Sequence, residues 1–330
     1  MPRTLITGAT GFIGCRLAEL WYSQGRAVQA VGRVRNAVEE KRAAGLRQAG
    51  VPLLIGDLAS DQFIVQALDG ADTVIHLAAA QHEANVDEDY FVTINVDATR
   101  RLLKSSEEHG IARFFYASSI GVYGVNDDPA IDEGTVLAPD NPYGRSKVAA
   151  EAMLADHQGS TQIFIGRIGE TYGPWDFRLH KLFVGIRDRH FWLVGPGMNL
   201  HQPIYVDDLA SAIDRLIASP GAARIPVILC GDRAVTTRQM CENIAASVEA
   251  KLSRWSIPMW PLLISALGME LTLGRLGIQP PLHGRRLDFF RKSLSFSTSL
   301  RDRLLALPPQ LTFREGADKT ATWYRAHDWL

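Results

Sequence analysis

The chain of 330 residues is 46% hydrophobic and 22% charged, the balance of a globular protein with room for one large α/β core and an appended lobe. Its net charge of −1 provides no field to gather nucleic acid or an anionic membrane, so small-molecule partners are expected. Three scattered cysteines, Cys15, Cys230 and Cys241, exclude a disulfide framework and a zinc knuckle and suit a reducing, cytoplasmic setting.

In chain order, "RTLITG" reads as a strand, followed by Gly8, Gly11 and Gly14 and then by helical periodicity over 11–23. Thr7 and Gly8 interrupt the apolar stretch too early for a secretion signal. Strand, glycine turn and helix in this order predict a phosphate cradle. Gly8 permits the tight turn, Gly11 lets backbone N–H groups approach a pyrophosphate, and Gly14 brings helix and strand together, with the positive helix end facing the anion. The runs "AVQAVG", "PLLIG", "DTVIHLAA", "RFFYASS" and "TQIFIGR" are further strands, and 95–109 is another helix. Such alternation predicts a doubly wound parallel sheet.

After Arg167 the rhythm loosens: "GPWDFRLHKLFVGIRDR" and 207–218 read as helices, before a Pro- and Arg-rich final third expected to form a smaller substrate lobe. No flexible linker intervenes, so the two lobes should share a tight interface. Segment 257–273 is apolar but carries Pro258, Pro261 and Glu270, which predicts a helix covering a pocket and no membrane span. No metal is expected, because the histidines offer no pair at ligand spacing beside a third ligand. His82 and His76 flank a strand end, and His76 is read as structural.

"PYGRSKVAAEAML" begins a helix after Pro142, so Tyr143 and Lys147, four residues apart, share a face. A lysine ammonium ~4 Å away contributes about 4 kcal/mol at an effective dielectric of ~20. Half of that lowers a tyrosine from its ordinary pKa of ~10 by more than one unit, enough for acid–base work near neutrality.

"TGATGFIG", "GDLAS", "HLAA", "YASSIGVYG", "PYGRSK", "RIGETYGP" and "PIYVDDLASAI" occur in the order and spacing of the extended short-chain dehydrogenase/reductases, which the chain resembles over its first 220 residues or so. The closing "EGADKTATWYRAHDWL" is similar to that family's last helix. The resemblance implies a Rossmann domain over 1–170 and a mainly substrate-binding lobe over 171–330, with interleaving of the two allowed. It implies a catalytic set of Ser119, Tyr143 and Lys147, with Lys147 also bonding the nicotinamide ribose. Cofactor contacts are implied at Gly8, Gly11, Phe12, Ile13, Gly14, Leu77, Ala78, Ala79 and Ile168, and at the adenine-contacting pair Asp57 and Leu58. Asp57 has a second reading, as the cap of a helix beginning near Ser60. Asn95 is expected to support the active-site water network, or simply to open a helix.

Strand "AVQAV" ends in Gly32-Arg33, where NAD-preferring relatives place an acidic residue. Gly32 removes repulsion and Arg33, with Arg35, offers a cationic fork to a 2′-phosphate, so NADP(H) is expected in preference to NAD(H); a solvated loop is the competing reading. Ile120 and Gly121 follow Ser119 where dehydratases of the family carry Asp-Glu. Glu170 and "NLHQPIYVDD" stand where sugar-nucleotide epimerases usually carry Asn and Arg. Glu170 would repel a diphosphate, although Arg285 and Arg286 offer phosphate contacts. What remains resembles the branch containing 3β-hydroxysteroid dehydrogenase-like and dihydroflavonol reductase-like enzymes, which implies interconversion of a secondary alcohol and a ketone on a hydrophobic substrate, lined by the segment 257–273 with Trp175, Phe177, Trp192, Trp255 and Trp260. The first alternative is a nucleotide-sugar epimerase. The second is a non-catalytic dinucleotide-binding regulatory module, which the Tyr143/Lys147 pair opposes. A homodimer is compatible with the sequence, and the oligomeric state stays open.

Overall fold

The computed structural model describes residues 3–81, 86–126, 130–253, 255–272 and 287–330. Its centre is a parallel sheet built from β1 (Arg3–Thr7), β2 (Val28–Gly32), β3 (Leu53–Ile55), β4 (Ala71–His76), β5 (Arg113–Ser119), β6 (Gln162–Ile168) and a seventh strand, Pro226–Leu229. The spatial order is β3-β2-β1-β4-β5-β6-seventh strand, the doubly wound arrangement whose strand order reverses beside β1 and leaves a crevice there.

Neighbouring residues along each strand belong to opposite faces. Leu5, Val74, Phe114 and Ile163 pack on one side with α3 (Asp61–Leu68), α5 (Ala98–Glu108) and α6 (Pro142–Ala155). Ile6, Ile75, Phe115 and Phe164 pack on the other with α1 (Phe12–Ser23) and α8 (Val206–Ile217). Because both faces are covered, the strands read as continuous apolar runs without polar alternation.

The six strands read from the sequence are present, with ends shifted by up to three residues. The seventh was not anticipated. It lies within 171–330 yet completes the central sheet, and α8 from the same part of the chain covers one face, so the two parts interleave. Two bidentate ion pairs fix α8 against the first half of the chain. Arg16 donates to both Asp207 oxygens at 2.7 and 2.9 Å, and Arg26 donates to both Asp214 oxygens at 2.7 and 2.8 Å. The second lobe packs α7 (Phe177–Arg187), α9 (Thr237–Ser247) and the closing helix Phe313–Ala326 around Phe183, Ile244, Ala317 and Tyr324. No helix among the described residues is long and apolar enough to cross a membrane.

A Cβ on Gly14 would stand 2.3 Å from the Gly8 carbonyl oxygen and 3.0 Å from Ala9 Cα, all backbone that cannot swing away. Gly14→Ala is therefore expected to destabilise the protein by about 1–3 kcal/mol. Urea denaturation should show a lowered midpoint at unchanged slope.

Candidate active site

The crevice under the β1–α1 turn is walled by Gly8, Gly11, Arg33, Asp57, Leu58, Leu77, Ala78 and Ala79, all expected cofactor contacts. Thr10 and Arg35 join them, and Thr93, Ile94 and Arg101 form a wall that the sequence did not suggest. Phe12, Ile13 and Ile168 lie against the core, and Gly14 and Asn95 are buried behind the wall. Gly8 takes φ +72°, and no side chain caps α1 at Gly11. The first-turn N–H groups of Phe12, Ile13 and Gly14 thus have no intrahelical acceptor and suit an anion. These features fit a nicotinamide dinucleotide. Asp57 does not cap α3. Ser60 does, accepting from Phe63 N, while Asp57 accepts from Ala59 N and from Arg33 Nη1 at 2.9 Å.

The catalytic set is assembled from two elements. β5 ends at Ser119, and α6 begins with Pro142 at its first position and Asn141 as cap, its Oδ1 accepting from Gly144 N at 2.9 Å. Gly144 lets α6 press on the turn after β5, because a Cβ there would lie 2.6 Å from Gly121 O. Ser119, whose Oγ accepts from Gly121 N at 3.1 Å, consequently lies close enough to the Tyr143 phenol to pull its pKa down. Lys147 is buried one helical turn on, its ammonium donating to Ala117 O at 2.7 Å and standing 4.6 Å from the Tyr116 ring centroid. That contact uses one of three N–H groups and leaves two for a ligand.

The expected lowering of the Tyr143 pKa by Lys147 does not occur in the free protein. Burial pushes Tyr143 up to about 12, only partly relieved by Ser119, and burial pulls Lys147 down to about 7 against the weaker attraction of Glu151. Taking both groups out of water penalises the ammonium and the phenolate alike, and Lys147 Nζ is 5.7 Å from the Tyr143 ring centroid.

Two buried networks fix this geometry. Ser118, on the opposite strand face from Ser119, donates to Glu151, which also takes Arg167 Nη2 at 2.7 Å; Arg167 Nη1 donates to the Tyr123 hydroxyl at 2.8 Å. Asn95 is fully buried within a π turn, Thr93–Asp97, and opens no helix. Its Oδ1 accepts from Ala80 N at 2.7 Å, and its Nδ2 donates to Ala80 O and to Ser146 Oγ at 2.9 and 2.8 Å. His76 is likewise structural, bridging Thr7 and Thr99, and burial lowers its pKa to about 3.

Beside Ile120, the residue after Ser119, a second pocket is walled by Glu170, Arg178, His201, Gln202, Asp288 and Lys292 among others. Burial pushes the Glu170 carboxyl up, but its hydrogen bond and charge interaction with His201, aided by Arg178, more than offset this and keep it below the ordinary carboxylate value. The aromatic residues expected to make a hydrophobic cleft are elsewhere. Trp175 and Phe177 pack in the core against Trp329, while Trp192, Trp255 and Trp260 are 49%, 82% and 67% exposed. Helix α10 (Met259–Thr272) turns Ile264 and Leu267 to solvent and contributes nothing to the pocket among the described residues. Leu273, His82, Arg285 and Arg286 lie outside the described residues.

Lys147 titrates near 7 in the folded protein against 10.5 ordinarily. Between those values the unfolded chain binds the extra proton, so this group makes the free protein more stable as pH rises. Lys147→Met removes the effect. Urea denaturation from pH 7 to 10 should show a wild-type-minus-variant stability difference that grows with pH, and a flat difference would refute the assignment.

The NAD dependent epimerase/dehydratase family matches residues 4–229. dTDP-glucose 4,6-dehydratase of Streptomyces griseus is 27% identical over 98% of this chain and 94% of its own length. Sterol demethylase protein B of Methylococcus capsulatus is 31% identical over 53% of each. The crystal structure of UDP-glucuronic acid 4-epimerase from Bacillus cereus in complex with NAD superposes with a TM-score of 0.77 at 19% identity, covering 98% of this chain and 99% of that one. That likeness speaks for the fold; the extent of the family match decides membership. The chain belongs to the NAD dependent epimerase/dehydratase family and is a nicotinamide-dinucleotide-dependent enzyme of the extended short-chain dehydrogenase/reductase type.

Proposed function

We propose that the enzyme epimerises a nucleotide sugar by transient oxidation of a sugar hydroxyl, and does not reduce a hydrophobic ketone. The observation that carries this reading is the charged wall of the pocket beside Ser119, with Glu170, Arg178, His201, Asp288 and Lys292. An apolar ketone would take the pocket-facing edges of those groups out of water and offer them no hydrogen bond in return. Sugar hydroxyls and a diphosphate supply such partners. The relatives named for dTDP-glucose and UDP-glucuronic acid support the same substrate class. Water elimination is disfavoured in spite of the dehydratase relative, because Ile120 and Gly121 bring no carboxylate next to Ser119.

When bound, the dinucleotide supplies the hydride acceptor and donor. Tyr143 takes the hydroxyl proton as the carbon-bound hydrogen departs, and returns it when hydride comes back to the opposite face of the carbonyl carbon. Ser119 holds the oxygen through both steps. Lys147, with two N–H groups free, holds the ribose and, when protonated, favours the Tyr143 phenolate. The purified protein, given cofactor and a panel of UDP- and dTDP-hexoses, should change the epimer ratio with no net change in nicotinamide absorbance. Net consumption with a hydrophobic ketone and no epimerisation would overturn the reading. Tyr143→Phe should lower turnover at least ~100-fold with cofactor affinity within a few fold.

For the cofactor we infer NADP(H). Arg33 and Arg35 wall the crevice at the end of β2, and Glu39, the carboxylate nearby, accepts from Arg35 N. Arg33 must leave Asp57 to take a 2′-phosphate. The two side chains are 29% and 50% exposed, and such surface pairs contribute about 0–1 kcal/mol. A charge-assisted bond to phosphate contributes about 1.5–3 kcal/mol, so the phosphate wins. Gly32 is no site for a reversing aspartate, since a Cβ there would stand 2.7 Å from the Thr10 side chain. Arg33→Ala should weaken NADPH binding about 10- to 150-fold and leave NADH within a few fold. Equal losses in calorimetric titration would reject the inference.

A further inference from the structure

His201 is held by polar atoms at both ring nitrogens. Nδ1 faces the two Glu170 oxygens at 2.9 and 3.1 Å, and Nε2 faces Thr237 Oγ1 at 2.9 Å, Phe289 O at 3.0 Å and Asn199 Nδ2 at 3.1 Å. The Thr237 hydroxyl donates to Asn199 Oδ1 at 2.7 Å, and Asn199 Nδ2 also donates to Phe289 O and Lys292 O, at 2.9 and 3.0 Å. The ring is thus fixed from its Nε2 side, and Nδ1 in turn fixes the Glu170 carboxylate.

Glu170 stands between this ring and the pocket. Its side chain is 36% exposed while that of His201 is 4% exposed. One edge of the carboxylate is committed to Nδ1, and the remaining lone pairs face the pocket next to Ile120. We propose that Glu170, anchored at His201, is a specificity-determining residue that accepts hydrogen bonds from hydroxyls of the substrate's sugar. This rests on the nucleotide-sugar reading and deepens it. Arg178, 63% exposed and held by Nη2 to Thr171 O and near Asp176, brings a cation to the same wall that suits a diphosphate. A carboxylate with a fixed partner pairs well with two hydroxyl donors and rejects a substrate that has none, because it would be desolvated unpaired.

The charged groups facing the pair come from three further places. Arg178 projects from α7 and donates to Thr171 O; Asp288 and Lys292 lie in the segment after residue 287, where Lys292 is engaged by Asp288 and by Asp140. None of these side chains contacts Nδ1 or Nε2 of His201.

Calorimetric titration with UDP-glucose, dTDP-glucose and the two nucleoside diphosphates alone, at pH 7.5, reads the grip. Glu170→Gln should lose about 10-fold or more for the nucleotide sugars and stay within threefold for the diphosphates and for the dinucleotide. Equal losses for sugar and diphosphate, or none, overturn the proposal. If wild type binds no nucleotide sugar at all, the functional reading falls and the sugar assignment with it.

Discussion

One buried carboxamide sets the distance between the cofactor crevice and the catalytic helix. Asn95 grips both backbone groups of Ala80, at the end of the crevice floor, and reaches Ser146 on α6. The Ser146 hydroxyl then donates to Tyr143 O at 2.8 Å. On the other side, Thr99 Oγ1 donates to Asn95 O at 2.8 Å and receives His76 Nε2, whose Nδ1 accepts from Thr7 on β1. A continuous line of hydrogen bonds therefore runs from the central strand, under the crevice, to the backbone of Tyr143. Each member sits where water cannot replace a lost partner, so breaking one link costs about 1–3 kcal/mol and loosens the geometry on both sides. The π turn that carries Asn95 is rare in itself, and such turns recur at functional sites.

The site divides its buried charges into those that are neutralised and one that is not. Arg167 and Glu151 satisfy each other between β6 and α6, and removing either partner would leave a buried charge at a cost of about 3–5 kcal/mol. Lys147, one turn before Glu151 on the same helix, has only a carbonyl and aromatic faces. That asymmetry keeps its proton loosely held near neutral pH, where a proton can be exchanged with chemistry. The framework pair supplies rigidity; the unpaired lysine supplies responsiveness.

Much of this was legible in the sequence because it is local. The six strands through Ile168 are apolar runs punctuated by glycine or polar turns, and the catalytic pair follows from a four-residue spacing on a helix with a proline start. What the sequence hid depends on tertiary company. Residues 226–229 are too short to announce a strand, and only the open edge of β6 makes them one. Glu170 looked like an unfavourable charge because His201, 31 positions away, gives no sign of lying against it. Trp175 and Phe177 looked like pocket walls because bulk and apolarity do not reveal which cavity they fill; the indole of Trp175 lies instead over Gly45 of α2 (Ala37–Gln48). Tyr143 and Lys147 were placed correctly on one helix face, but their proton affinities are governed by burial, which a spacing does not encode.

The late return of the seventh strand also has a consequence for synthesis on the ribosome. β6 can pair with β5 as soon as it emerges, but its other edge waits for Pro226–Leu229. The wait is about 60 residues, or roughly 3–12 s at about 5–20 residues/s. During it the nascent sheet ends in the apolar edge of "IFIG", with its N–H and C=O groups unmatched, which is the kind of template that recruits neighbouring chains. Chains released before residue 226 would keep that edge permanently, so the final hundred residues protect the central sheet from self-association as well as packing the second lobe.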